Sequence, residues 1–326
     1  MTRLQLPGPH QMPHHSTLPN SAPLDVDFSS GIYWLRQTYR NERIHSKGHR
    51  PHWTVGRALR MLRPNLRRPV FAVGAPRSGT TFLGACLSKL PEISYHFEPV
   101  VTKAAVRHVF ERDWPEYRLR LLYRATYAWL MRMSVETDLR FCEKTPGNCF
   151  ILPFLQSTFP DAKFVHIIRD GRDAALSLSR KPWYINENKD SGIRDPDGYL
   201  IGPSTRFWVE PERTEEYETT DDLHRCIWLW RRYVEEALAG AAKLPAENYL
   251  AIRYEDLLAD PATYADTISG FLDIESASSR TRFRNNMVDS ARTDSIGGWQ
   301  SAIDADTRSR MRAEAGELLL SLGYDV

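Results

Sequence analysis

The chain has 326 residues and a mass of 37.6 kDa, with 42% apolar and 26% charged side chains, enough apolar sequence to bury the core of one large or two ordinary domains. Forty-three Lys and Arg against forty-one Asp and Glu leave a formal charge of +2, which excludes a chain that is basic or acidic throughout. The asymmetry is local: residues 1–70 carry eleven basic and three acidic side chains, so a basic arm of +8 precedes a body of −6.

Residues 1–28 are rich in Pro, His and Ser and poor in branched apolar residues, and read as a tail that cannot offset its own ordering entropy. His10, His14 and His15 have no Cys or carboxylate partners at ligand spacing, so no metal is assigned there. Over 29–68, Arg and His alternate with Trp34, Leu35, Trp53, Val55, Leu59 and Leu62, which suits a basic helical arm. Its cationic face is either solvated or set against an anionic membrane surface or an acidic partner. A catalytic domain is expected over 69–326.

That domain begins with the apolar run Val70–Val73, bounded by Pro69 and Gly74, which reads as a buried strand. A loop over Gly74–Gly79 leads into helical spacing over Thr81–Leu90. Ile93–Phe97 looks extended, Pro115–Thr137 helical, Lys163–Ile168 a strand and Asp170–Arg180 a helix. The long stretch Leu223–Lys243 is amphipathic, Tyr249–Tyr254 is a further strand, and Pro261–Leu272 and Asp304–Leu322 are helices. Strands alternating with helices predict an α/β fold, a doubly wound parallel sheet flanked by helices. Between them, residues 182–221 break the pattern. The stretch carries Trp183, Tyr184, Tyr199, Phe207 and Trp208, too many aromatic residues for a segment that never packs, and reads as an inserted lid or binding loop. Its acidic end, Glu210–Asp222, is a solvated loop or a receiver for a basic acceptor.

Cys86, Cys142, Cys149 and Cys226 make no CxxC pair and are too few for a disulfide scaffold, which points to a reducing compartment. No apolar run approaches the roughly 20 residues that span a bilayer, and the first residues lack the apolar core of a signal peptide, so the chain reads as soluble and cytoplasmic.

Gly74-Ala-Pro-Arg-Ser-Gly-Thr-Thr81 has the glycine spacing of a phosphate-cradling loop and lies between a strand and a helix N-terminus, where backbone N–H groups and the helix dipole favour an anion. In nucleotide triphosphatases such a loop ends Gly-Lys-Ser/Thr. Here Thr80 replaces the lysine, and Arg77 offers a planar fork for a different oxyanion. A second element, residues 164–180, puts Arg169 where phosphate-loop enzymes place a magnesium-binding Asp. With Ser177 eight residues on, Arg169 could clamp a second phosphate; the other reading is a surface cluster of Arg169, Asp170, Arg172 and Asp173.

These residues resemble the sulfotransferase family. GAPRSGTTFL is similar to its 5′-phosphosulfate loop, RDGRDAALS to its 3′-phosphate site and YLAIRYEDLLADP to its later strand-loop-helix. Three features bring it nearest to the tyrosylprotein and bacterial branch: Glu98 in YHFEPV, Lys144 in CEKTP, and the GGWQSAIDADTRSRM ending. The resemblance covers roughly residues 69–181 and 222–326. It implies a P-loop-type domain and the co-substrate 3′-phosphoadenosine 5′-phosphosulfate. Arg77, Ser78, Gly79, Thr80 and Thr81 would lie at the 5′ end of the donor, and Arg169 and Ser177 at the 3′-phosphate, followed by Arg180 or Lys181. Tyr254 would lie near the nucleotide, with Gly297, Gly298 and Trp299 helping to cover it.

Sulfuryl transfer needs an in-line pose, a base for the acceptor proton and cations where charge builds up. Glu98 is the expected base, its pKa raised toward neutrality by partial burial, and Lys144 and Arg77 would supply charge without a metal. His96 is a rival, since two residues along an extended segment face the same way; His166, inside a strand, reads as a core histidine. Trp228, Trp230 and Tyr233 read as core packing. The expected acceptor is a hydroxyl of a small molecule, glycolipid, carbohydrate or tyrosine, with a small molecule or glycolipid favoured. No nucleic acid partner is expected, since support for one does not go beyond the basic arm, which lacks a recognised module. A nucleotide-dependent kinase and a non-catalytic nucleotide-binding scaffold are the alternatives.

Overall fold

Runs of branched and aromatic residues form four of the five strands β1 (Val70–Val73), β2 (Ile93–Phe97), β3 (Arg140–Lys144), β4 (Lys163–Ile168) and β5 (Tyr249–Arg253). The computed structural model describes residues 31–45, 55–134, 136–195 and 198–326; the 1–28 tail and its histidines lie outside them. The strands make one all-parallel sheet in the order β2-β3-β1-β4-β5, with β1 in the middle. Every residue of β1 is buried, as a strand covered on both faces requires. Phe71 and Val73 pack with Phe141 and Phe164 toward the helices Glu116–Ser134, Leu152–Thr158 and Asp222–Ala241. Val70 and Ala72 pack with Cys142, Val165 and Ile167 toward Thr80–Leu87, Pro261–Phe271 and Ala277–Ser290.

The expected strands and long helices are present within a few residues of their bounds. The strand β3 was not legible in the sequence, because Arg140, Glu143 and Lys144 break its apolar pattern. Glu143 is nevertheless fully buried. Its carboxylate accepts from Tyr127 Oη at 2.5 Å, Asn148 Nδ2 at 2.7 Å and Thr145 Oγ1 at 3.0 Å, which satisfies a group that could not otherwise leave water. The four cysteines are buried thiols.

Two expectations are refined. The later part of the 182–221 stretch packs into the core, where Trp208 and Tyr217 are buried and Tyr217 meets Trp208 and Trp228 edge to face, while Trp183 and Ile193 in its earlier part are exposed. Its acidic end is solvated at Glu212, Glu215 and Glu218, with other carboxylates paired within the chain. Glu210 accepts from Trp228 Nε1 at 2.8 Å and Arg231 at 2.6 Å, Glu216 pairs with Arg213, and Asp222 with Arg225. The arm contributes a helix, Gly31–His45, whose Arg36 and Arg40 are exposed while its opposite face lies against β2 and the Val100–Glu111 helix, with Trp34 buried among Val100, Val101 and Ala104.

Gly171 opens the Gly171–Leu178 helix directly against Trp230; a Cβ there would lie 2.5 Å from the indole and 2.8 Å from Ile227 Cδ1. Trp230 is itself fixed by its Nε1–H bond to the Arg169 carbonyl at 3.0 Å. Gly171→Ala should therefore lower stability by about 1–3 kcal/mol through overpacking, read from urea denaturation; a change within about 0.5 kcal/mol, the range of an innocuous surface substitution, would contradict this contact.

Candidate active site

Because the strands are parallel, all five end at one edge of the sheet, and the residues singled out in the sequence follow those ends. Glu98 comes after β2, Lys144 ends β3, Gly74–Thr80 follows β1, Arg169 follows β4 and Tyr254 follows β5. The chain passes from β1 to β2 and β3 on one side and to β4 and β5 on the other, so the loop after β1 sits where the winding reverses, the place where open α/β sheets bind ligands.

Around that loop the structure brings together the predicted nucleotide residues. The Thr80–Leu87 helix starts directly after Gly79, whose φ of 91° is left-handed and whose missing Cβ would meet the Tyr254 ring at 2.5 Å; only glycine fits both conditions. Arg77 Nε donates to Ser177 Oγ at 3.0 Å, joining the loop to the Gly171–Leu178 helix. Arg169 lies over Tyr254, 5.1 Å from the ring centre, and donates to the Arg77 carbonyl at 3.1 Å and to the Ser295 carbonyl. The 295–299 segment is held in turn by Asp173, which accepts from the backbone of Gly297 at 2.7 Å and Trp299 at 3.1 Å, while Trp299 packs on Arg172. Gly298 lies between these two anchors. Thr80 is buried and Thr81 exposed. Two polar atoms here are buried without a protein partner: Ser78 Oγ and Arg169 Nε. A hydroxyl and a cationic N–H left unsatisfied beside a helix N-terminus fit an oxyanion that completes them.

The second group lies at the tips of β2 and β3. Glu98 Oε1 accepts from Lys144 Nζ and Oε2 from Lys103 Nζ at 2.8 Å, and the Lys144 ammonium also sits 3.9 Å from the centre of the Phe97 ring. Register explains the pairing, since Phe97 lies opposite Lys144 and the Glu98 N–H donates to the Lys144 carbonyl at 3.0 Å. The expectation that burial raises Glu98 toward neutrality is corrected. Burial does push it up, but the Lys103 and Lys144 ammoniums outweigh that and hold it at about 2. Burial lowers the Lys144 pKa against the pull of Glu98, with Lys103 and Arg77 pushing it further down. Lys103 escaped the sequence reading; it lies in the first turns of the Val100–Glu111 helix, and only a helix starting just after Glu98 would have revealed it.

Arg77 was expected beside Glu98 and Lys144; here its guanidinium bonds Ser177 instead, so it stands between the two groups. His96 is turned away from Glu98. Strand alternation ends at Phe97, Glu98 has a left-handed φ of 43°, and His96 is buried with Nε2 2.9 Å from Ser94 Oγ and Nδ1 3.2 Å from Glu42. His166 is a core histidine, 2.5 Å from Tyr249 Oη, with burial pushing its pKa down to about 3.

The sequence matches the sulfotransferase family over residues 69–194 and 193–279. The chain belongs to that family. Over 285 residues this sulfotransferase is 23% identical to protein-tyrosine sulfotransferase A of Caenorhabditis elegans, covering 78% of this chain and 67% of that one. Protein-tyrosine sulfotransferase 1 of Danio rerio is 24% identical over 288 residues, 78% of this chain and 72% of its own. A shorter stretch of 127 residues is 34% identical to human protein-tyrosine sulfotransferase 1, covering 34% of each chain. The solved structure of sulfotransferase STF9 from Mycobacterium avium shares the fold at a TM-score of 0.50 and 15% identity, covering 89% of this chain and 82% of that one. The protein is thus an enzyme of sulfuryl transfer.

The Glu98 carboxyl lies below its ordinary 4.5 in the folded state. Its contribution to stability is therefore complete above that value and lost as the pH falls toward about 2. Glu98→Gln should shrink the acid loss of stability within this window, measured as urea midpoints above and inside it. Equal acid losses in the two proteins would contradict the pairing.

Proposed function

We propose that the sulfuryl donor is 3′-phosphoadenosine 5′-phosphosulfate, that the acceptor is a hydroxyl, and that Glu98 is the general base. The observation that carries this reading is the placing of two cationic groups at one sheet edge. Arg169, Arg77 and Ser177 surround one end of the phosphate loop, and Lys144 and Lys103 hold a carboxylate at the other. An adenosine bisphosphate has two anionic ends to match. The unsatisfied Arg169 Nε and Ser78 Oγ supply donors for them.

In the resting site Glu98 is a weak base, because two ammoniums stabilise its charge. Lys144 can exchange that partner for the sulfuryl or bridging oxygen of the donor, where charge builds in the transition state. Losing one of its two cations, Glu98 becomes more basic as the acceptor proton must leave, so one lysine movement stabilises the leaving charge and arms the base. Arg77, at the hinge between the two groups, adds charge at the 5′ end. These cations do the work that magnesium does in phosphoryl transfer, and Thr80 stands where a kinase of this loop type would carry its lysine.

A phenolic hydroxyl, the group named in relatives that align over most of the chain, is the first acceptor class to test, ahead of carbohydrate, glycolipid and other small-molecule hydroxyls.

Arg169→Ala should weaken binding of adenosine 3′,5′-bisphosphate by about tenfold or more while barely changing that of AMP, measured by calorimetry; equal losses would remove the 3′-phosphate role. Glu98→Gln should keep the affinity for the bisphosphate and lose turnover by on the order of a hundredfold. Near-normal transfer from labelled donor would refute the base assignment.

A further inference from the structure

The helix Gly31–His45 lies outside the segment that matches the family, yet it touches the segment bearing Glu98 at four places. Trp34, Thr38, Asn41 and Glu42 recur at the spacing of one helix face. Trp34 is 1% exposed and packs on Val100, Val101 and Ala104, in the helix that carries Lys103. Thr38 Oγ1 accepts from the Val101 N–H at 3.3 Å, satisfying an open donor in the first turn of that helix. Asn41 Nδ2 donates to the Phe97 carbonyl and, at 3.2 Å, to the Glu98 carbonyl. Glu42 pairs with buried His96, which Ser94 links to Glu136.

The Glu98 backbone needs this support. A non-glycine residue with a φ of 43° is in a sparsely populated region, and such residues persist where the surroundings over-determine them. The N–H of Glu98 is fixed by the Lys144 carbonyl. Its carbonyl is fixed by Asn41, from a different part of the chain and from the far side of the edge strand β2. With both peptide groups held, the carboxylate is aimed at Lys103 and Lys144.

We propose that the Gly31–His45 helix is the positioning element of the catalytic carboxylate, with Asn41 holding the strained Glu98 backbone and Thr38 holding the start of the helix that carries Lys103. The proposal rests on the reading of Glu98 as the base. Asn41 and Thr38 bond only backbone groups of Phe97, Glu98 and Val101 here, and act through Glu98 and Lys103.

The test uses the full chain with Asn41→Ala and, in case that variant folds poorly, the isosteric Thr38→Val. Two readouts are taken: the titration of Glu98, followed by carboxyl carbon NMR against Glu98→Gln for assignment, and transfer from the phosphosulfate donor to 2-naphthol. The expected result is a Glu98 midpoint raised by about one unit as the ion pairs loosen. Turnover should fall roughly ten- to a hundredfold, as for a misplaced catalytic group, with affinity for adenosine 3′,5′-bisphosphate unchanged. In the Glu98→Gln background Asn41→Ala should add little further loss, because both act through one group. An unmoved Glu98 titration and full turnover in both variants would overturn the positioning role. Normal turnover of Glu98→Gln alone would instead remove the base assignment, which separates the two failures.

Discussion

The architecture depends on one constraint: a parallel sheet buried on both faces sends every strand to the same edge. Because β1 lies between β3 and β4, the loop that follows it opens between two sets of strand ends, and groups far apart in sequence, from Glu98 to Tyr254, come to one crevice without any of them leaving its own strand end. The helices on either face then fix the ends more finely. Trp230 holds the Arg169 carbonyl, the Tyr254 ring closes on Gly79, and Asp173 holds the 297–299 turn. Each of these contacts is local, but together they keep the cationic groups from relaxing apart, which like charges would otherwise do.

The electrostatics divide the site in two. At one end, Arg169 is held by a backbone carbonyl and an aromatic face and keeps N–H capacity for an anion. At the other end, the Glu98 carboxylate is shared by the Lys103 and Lys144 ammoniums, which leaves the trio with one positive charge in excess. A buried cluster with two cations and one anion is stable only while its hydrogen bonds are made, so the arrangement depends on both lysine contacts to the Glu98 carboxylate.

Much of this was legible in the sequence where local chemistry and tertiary position agree. Val70–Val73 followed by Gly74–Gly79 announces a buried strand and an anion loop because both signals are short-range, and the same holds for Lys163–Ile168 with Arg169. What escaped was decided by partners distant in sequence. The strand Arg140–Lys144 looks polar until Tyr127 and Asn148 satisfy Glu143. The depressed pKa of Glu98 requires Lys103 and Lys144 on two different elements, and burial alone pointed the other way. The aromatic 182–221 stretch reads as a lid when its composition is considered alone, whereas its Trp208 and Tyr217 are drawn into the core beside the Asp222–Ala241 helix. The arm's alternating Arg and apolar residues describe a helix correctly but not the surface that its Trp34 face covers.

The most direct measurement is calorimetric titration of the purified protein with adenosine 3′,5′-bisphosphate in the presence of a metal chelator and, separately, with magnesium ATP. The two-ended cationic crevice predicts tight binding of the bisphosphate without metal and weak binding of magnesium ATP. Preference for magnesium ATP, with no metal-free binding of the bisphosphate, would contradict the donor assignment and favour a phosphoryl-transfer enzyme.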